Sequence, residues 1–215
     1  MISKRLETIA SMVPSGKVVF DVGSDHALLP CYLVKNGIST KVYAGDNKKG
    51  PLESALKNIS VHGFNDKIIP VLSDGLNEAR EDVEVVIIAG MGYHTAIDII
   101  EKSDVDKYDR FIVQINKNAD LLREYISRHN YTIIDEKLVF DGFYYEIIAF
   151  NTDYHKSYTS DEISYGPVLL KEKSQTFVDY ISYKINTLEN IVEQKGHDAI
   201  IDNQIKSLKN IINKV

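Results

Sequence analysis

Residues 18–30, V-V-F-D-V-G-S-D-H-A-L-L-P, decide how the chain is read. The first five are apolar apart from Asp21 and β-branched at Val18, Val19 and Val22, which suits a strand buried on both faces. Gly23 and Asp25 follow, so the strand enters a tight turn into a helix with a carboxylate over its C-terminal edge. Ligands of open α/β sheets bind along that edge. The turn marks the chain as a candidate nucleotide-cofactor enzyme.

Two periodicities alternate on either side of this turn. Ser3 precedes a short amphipathic helix carrying Leu6, Ile9, Ala10 and Val13, closed by Pro14 and Gly16. The spacing predicts a helix over 25–35, with Pro30 in its first turn or at a kink. A second strand, 40–44, ends at Gly45-Asp46, and Pro51 opens a helix that stops near Gly63. A third strand, 68–72, ends at Ser73-Asp74-Gly75. The fourth, 83–89, is apolar except for Glu84 and reads as central; it ends at Gly90-Met91-Gly92 before a helix to about Glu101. A fifth strand at 110–115 and a helix at 119–129 follow. Strands at 131–140 and 144–150 are joined by the hairpin signal Asp141-Gly142.

Five βα units followed by a hairpin predict a Rossmann-like α/β fold, a parallel sheet with an antiparallel terminal hairpin. That ending differs from the second βαβαβ half of a dinucleotide dehydrogenase and points to a class I S-adenosylmethionine methyltransferase sheet. Residues 151–164 are polar and read as a linker. Beyond them Phe177, Ile181, Ile185, Leu188 and Val192, then Ile201, Ile205, Leu208, Ile212 and Val215, repeat near heptad spacing on either side of Gly196. This predicts an antiparallel helical hairpin with coiled-coil packing, projecting as an appendage. The expected domains are 1–155 for the sheet and 156–215 for the helices.

At 215 residues the chain can bury a sizeable core, and 44% apolar with 26% charged residues is ordinary for a globular protein. No stretch is long and apolar enough for a membrane helix, and the N-terminal segment lacks the apolar core of an export signal. The single cysteine, Cys31, excludes an internal disulfide, agrees with a reducing cytoplasm and reads as a buried small hydrophobe. The net charge of −6 disfavours a broadly basic nucleic-acid surface, so an RNA site has to be a local patch.

Four strand ends carry glycine or a carboxylate. Gly23 admits a close approach of backbone to ligand. The turn lacks the G-x-G-x-x-G that cradles a pyrophosphate, which suits a cofactor without phosphates. Asp46, at the end of the second strand, is placed to accept ribose hydroxyls; as a lone residue it would be a helix cap. Asp74 is placed to accept an adenine amino group, with Gly75 giving the ring room, or else to cap a helix at Leu76. Gly90-Met91-Gly92 clears space where the transferable group and substrate meet. No Asn/Asp-Pro-Pro-aromatic motif, typical of methylases of exocyclic amines, stands there.

Together these residues resemble the bacterial tRNA (adenine-22, N1)-methyltransferase family, TrmK. The resemblance covers almost the whole chain: S-K-R-L at 3–6, D-V-G-S-D-H-A at 21–27, A-G-D at 44–46 with Gly50-Pro51, D-G-L at 74–76, I-A-G-M-G at 88–92, Tyr145-Glu146 and Gly166-Pro167. The chain differs from the family pattern at Leu28, usually Tyr, at Ser73 and Tyr93, usually Gly, and at Ile115, usually Pro.

The resemblance implies S-adenosyl-L-methionine as cofactor, tRNA as partner, and methyl transfer to N1 of an adenine. It implies neither a metal nor an obligate protein partner. The cofactor residues on this reading are Asp21, Gly23, Asp46, Asn47, Ser73, Asp74, Gly75, Ala89 and Gly90. Adenine N1 carries its own lone pair, so catalysis rests on positioning and electrostatics. Asp25 is the candidate to favour the developing positive charge, although it also suits an N-cap. His26 is placed to orient it or to take a proton, and Asn116 to bond the adenine edge. Met91, Gly92 and Tyr93 line the substrate side, with Tyr93 offering a stacking surface for an extruded base. Lys4, Arg5, Lys48, Lys49, Lys117 and Arg123 are candidate phosphate contacts. Two other readings stay open: a methyltransferase with a small-molecule or protein acceptor, and a non-catalytic cofactor-binding module.

Overall fold

The computed structural model describes residues 2–155, 157–196 and 198–213. Five parallel strands form where the apolar runs predict them: β1 (Val18–Val22), β2 (Lys41–Asp46), β3 (Ile68–Leu72), β4 (Val85–Met91) and β5 (Arg110–Ile115). The hairpin β6 (Thr132–Asp141) and β7 (Phe143–Asn151) completes a seven-stranded sheet in the order β3-β2-β1-β4-β5-β7-β6, with β7 antiparallel to both neighbours. Strand order reverses between β1 and β4, the switch point at which ligands of such sheets bind.

Helices α1 (Lys4–Ser11), α2 (Leu28–Lys35) and α3 (Lys49–His62) belong with one apolar core, built on Ile9, Val19, Leu33, Ile59 and Ile87. Helices α4 (Tyr93–Glu101) and α5 (Ala119–Arg128) belong with the other, built on Phe20, Val86, Ile100, Phe111 and Leu122. β4 runs between the two layers. Val85, Val86, Ile87 and Ile88 have no exposed surface, as a central strand requires. It begins two residues later than its apolar run suggests, because Glu84 is taken by Lys17 at 2.6 Å and by the Val18 amide at 3.0 Å.

The helix expected over 25–35 is broken. Asp25–Ala27 forms a 3-10 turn, and α2 starts only at Leu28 because His26 (φ 56°) and Ala27 (φ 51°) are both left-handed. Pro30 thereby falls in the first turn, where its missing N–H is harmless. Within the expected linker, α6 (Ser160–Tyr165) forms behind a capping box in which Thr159 and Glu162 each bond the other's backbone. The signal is T-S-D-E; the scarcity of apolar residues hides it from a periodicity reading.

Gly166-Pro167 opens α7 (Pro167–Glu172), and α8 (Gln175–Lys195) and α9 (Ala199–Asn213) flank Gly196. Phe177, Ile181 and Ile185 of α8 pack with Leu208 and Ile211 of α9, and Lys209 meets Glu189 at 2.7 Å. Helix α9 thus returns antiparallel along α8. Leu188, Ile205 and Ile212 of the expected seam join this cluster partly buried, Ile211 is buried in it outside that spacing, and Val192 and Ile201 are not part of it; Val215 lies outside the described residues. Leu138 of β6 and Leu169 of α7 join the same cluster, so the pair is rooted on the sheet edge.

Candidate active site

At the end of β1 the chain turns through Gly23, at φ +73°. The amides of Gly23 and Ser24 both donate to the Gly45 carbonyl at 2.9 Å, pinning the turn to the end of β2. A Cβ on Gly23 would stand 2.6 Å from Met91 Cε. Asp21 is buried just below the turn, and the loss of solvent pushes its carboxyl up to about 7. Ser24 approaches and offsets a little of that shift, but its buried Oγ makes no hydrogen bond of normal geometry. A cleft of about 290 Å³ opens over these groups, bounded also by Asp25, Leu28, Ala89, Gly90 and Arg5.

Asp46 closes β2. Its Oδ1 accepts the Lys48 amide at 2.9 Å, shaping the entry into α3, and its Oδ2 has no protein partner among the described residues. The local turn and a ligand contact are therefore compatible. Ser73 is the turn builder after β3: its hydroxyl donates to the Gly75 carbonyl at 2.9 Å and accepts from the Glu78 amide. Asp74 is exposed and caps no helix, because a turn rather than a helix follows it. Gly75, at φ +60°, packs on Ile99. Asn47 is exposed beside Asp46.

The end of β4 is held by two side-chain amides. Gln114, fully buried in β5, accepts from the Gly90 amide at 3.1 Å and from Arg5 Nη1 at 2.5 Å. Its own NH2 donates to the Ile115 carbonyl at 2.9 Å. Asn116 completes the arrangement, its side chain donating to the Gly90 carbonyl at 3.0 Å and its amide to the Met91 carbonyl at 2.9 Å. These bonds hold Gly90 at φ +77°, where the β4–β5 register shifts. Arg5 also lies over the Tyr145 ring at 5.4 Å, and its amide donates to the hairpin-tip carboxylate of Asp141 at 3.1 Å.

Asp25 and His26 stand exposed at the rim, Oδ1 and Nε2 3.4 Å apart. Asp25 is no cap for α2, whose N-cap is Ala27. The His26 carbonyl accepts from Asn58 Nδ2 at 2.8 Å, tying the left-handed turn to α3. Such turns store strain and cluster at functional sites. Tyr93 is half-buried at the start of α4, edge-on to His94, and burial raises its phenol pKa. Gly92 is the N-cap of that helix. Lys4, Lys48, Lys49 and Lys117 are exposed.

Residues 2–148 match the methyltransferase domain family. The chain is 32% identical over 223 residues to the tRNA (adenine(22)-N(1))-methyltransferase of Bacillus subtilis (strain 168), with 100% of this chain and 94% of that protein covered. The chain belongs to that family. Solved structures carry the likeness through the helices. A Streptococcus pneumoniae protein described as a candidate tRNA (m1A22) methyltransferase, in complex with S-adenosyl-L-methionine, is 34% identical. Its TM-score is 0.87, with 99% of this chain and 100% of that one covered. M. capricolum TrmK in complex with S-adenosyl-homocysteine is 31% identical, with a TM-score of 0.84 and coverage of 99% and 98%.

One residue expected to face RNA in this TrmK-family chain does not. Arg123 has no exposed surface; its Nε meets Glu136 Oε1 and its Nη2 meets Glu146 Oε2, each at 2.6 Å. Glu136 also accepts the Val168 amide at 2.9 Å, and Glu146 accepts the Tyr180 hydroxyl at 3.0 Å. A buried guanidinium has to be paired, and this one ties α5, β6, β7 and the C-terminal helices together. Gln114 is the converse case, a site residue to which the sequence reading assigned no role. Its signal was present: a lone amide inside F-I-V-Q-I must find buried partners. Cys31 is buried, and burial raises its thiol pKa. Among the described residues no helix is long and apolar enough to cross a membrane, and no cluster of His, Cys, Asp and Glu could hold a metal ion.

Proposed function

We propose that this protein transfers the methyl group of S-adenosyl-L-methionine to N1 of an adenine in tRNA, the adenine at position 22 by family membership. The observation that carries the reading is the C-terminal edge of β1, β2 and β4. There a left-handed glycine turn and the Gly90 bend line one cleft beside the switch point, and Asp46, a carboxylate with a free oxygen, closes the neighbouring strand.

The residues fit the cofactor. Asp46 Oδ2 is available to a ribose hydroxyl, and the exposed Asp74 to an adenine amino group. Gly23 and Gly90 keep side chains out of the cleft. Asp21 and the orphaned Ser24 Oγ offer polar contacts within or beneath it. Bound there, S-adenosyl-L-methionine supplies an electrophilic methyl on a sulfonium.

The protein's own part is placement. Gln114 and Asn116 hold the Gly90 backbone in one geometry, so the substrate side of β4 is rigid before the base arrives. No general base is needed for attack by N1. Asp25 at the rim favours the ring as it becomes cationic, and His26, 3.4 Å away, orients that carboxylate and is placed to accept a proton. N1 is occupied in a Watson–Crick pair, so the target is unpaired or extruded, with Tyr93 beside it. Lys4, Lys48, Lys49 and Lys117 supply local positive charge. Residues 1–155 act as the catalytic unit and 156–215 as an RNA-facing appendage, working in the cytoplasm.

The test is transfer of labelled methyl to unmodified tRNA, with the product nucleoside identified. N1-methyladenosine that disappears when adenine 22 is replaced supports the reading. No transfer, with cofactor binding intact, overturns it.

A further inference from the structure

A second, larger recess of about 460 Å³ opens on the same edge, between the loop after β5, strand β7 and helices α6 and α8. Continuing the pairing of Val113 with Ile148 places Tyr144 of β7 beyond the last residue of β5. Tyr144, Tyr165 and Tyr180 line the recess, with Lys184 on α8 and Lys117 on the loop. Asn116 belongs to it as well, and the same side chain holds the Gly90 carbonyl. One residue thus connects the recess to the substrate side of the cofactor cleft.

Three features define what the recess can take. First, its aromatic groups are organised: Tyr144 lies 5.0 Å from Tyr180, 5.7 Å from Tyr183 and 5.0 Å from Phe140, centroid to centroid. The Tyr180 hydroxyl is anchored on Glu146, so its ring is fixed in advance. Second, cations lie beside the rings, with Lys184 Nζ 4.6 Å from the Tyr180 centroid and 5.8 Å from that of Tyr165. Of the two acids in the wall, Glu146 is already paired with Arg123, and Asp120 is exposed in the first turn of α5. Third, the aromatic surface continues into solvent through the rings that touch Tyr144: Tyr183 is 58% and Phe140 53% exposed. Fixed aromatic faces beside lysines are how proteins hold unpaired nucleotides, the base stacked and the phosphate on the cation. The volume lies within the ~300–1,000 Å³ usual for small-ligand sites.

We propose that this recess binds a second, unpaired nucleotide of the RNA substrate, a neighbour of the target adenine, stacked on Tyr144 and Tyr180 with its phosphate on Lys184 and Lys117. The assignment rests on the function proposed above. Holding a flanking base here keeps the strand open and places the target over Gly90. The recess draws on both the sheet and the C-terminal helices, so RNA bound in it depends on how the helices are rooted.

The test compares wild type with Tyr144→Ala, Tyr144→Phe and Lys184→Glu, each checked for a native thermal transition. 2-Aminopurine replaces the nucleotide immediately 5′ or 3′ of the target adenine in unmodified tRNA. On wild-type binding, one of the two probes is quenched. Tyr144→Ala abolishes that quenching and weakens tRNA binding on the order of 10- to 100-fold, as expected for one lost stacking platform. S-adenosyl-L-methionine affinity stays unchanged, and Tyr144→Phe restores both signals. Lys184→Glu raises the tRNA KM and reduces the salt dependence of binding. If the Ala and Glu variants bind and methylate tRNA like wild type, the recess assignment is overturned and the proposed function stands. If wild type neither binds nor methylates tRNA, both fall.

Discussion

Asp21→Asn should stabilise the protein at neutral and higher pH. The carboxyl is buried and held at about 7 against an ordinary 3.8, because burial disfavours its ionised form. At about 1.4 kcal/mol per pKa unit, ionising it inside the fold carries a penalty of about 4 kcal/mol. The sign follows from proton counting. Between about pH 4 and 7 the unfolded chain has released this proton and the native state has kept it. Stability therefore falls as pH rises through that window and levels off above it. A loss of this size is a large share of the ~5–15 kcal/mol that holds a domain together. Asn has nearly the shape of the protonated carboxyl and does not titrate. Urea unfolding of both proteins at half-unit steps from pH 4 to 8.5 should give curves that coincide near pH 4 and then diverge. The variant should end more stable by up to about 4 kcal/mol. A cationic ligand in the cleft favours ionised Asp21, so saturating S-adenosyl-L-methionine should flatten the wild-type slope. Parallel curves across the whole range would refute the argument.

Three further substitutions probe the rest of the framework. Arg123→Met leaves two carboxylates in a buried site and should lower stability by about 3–5 kcal/mol at pH 7, measured by urea unfolding; a change below 1 kcal/mol would show the triad to be dispensable. The deficit should shrink as pH falls, because burial already pushes Glu136 toward its protonated form. Asp46→Ala removes the acceptor offered to the ribose and should weaken S-adenosyl-L-methionine binding on the order of 100-fold, given ~1.5–3 kcal/mol for each charge-assisted hydrogen bond. Unchanged calorimetric affinity would remove Asp46 from the cofactor site. Gln114→Leu releases both the Gly90 amide and Arg5 and should reduce kcat by about 10- to 100-fold, the scale expected when a reacting group is misplaced. Normal turnover would mean that the β4 bend holds itself.

The sheet and the position of its ligand edge were legible in the chain, because both rest on local chemistry. A β-branched run ending in Asp21-Val22-Gly23 reads as a buried strand entering a turn wherever it occurs, and the same holds for Gly45-Asp46 and Gly90-Met91-Gly92. The turn Asp141-Gly142 specified its hairpin, and the heptad steps on either side of Gly196 specified two helices that pair. Tertiary structure decided what depends on distant partners. Arg123 has the same sequence signature whether it faces a phosphate or two buried carboxylates, and only the meeting of α5 with β6 and β7 distinguishes them. Gln114 became the hub of the site because the β4–β5 pairing brings Gly90 to it and α1 delivers Arg5. The break at His26-Ala27 is set by contacts with the ends of β2 and α3. The aromatic recess is assembled from residues up to about 70 positions apart. Periodicity and turn chemistry are properties of neighbours along the chain, whereas burial and pairing belong to neighbours in space. That is why the sequence alone determined the fold and its ligand edge, while the residues that hold the site and root the helices emerged only when the chain was folded.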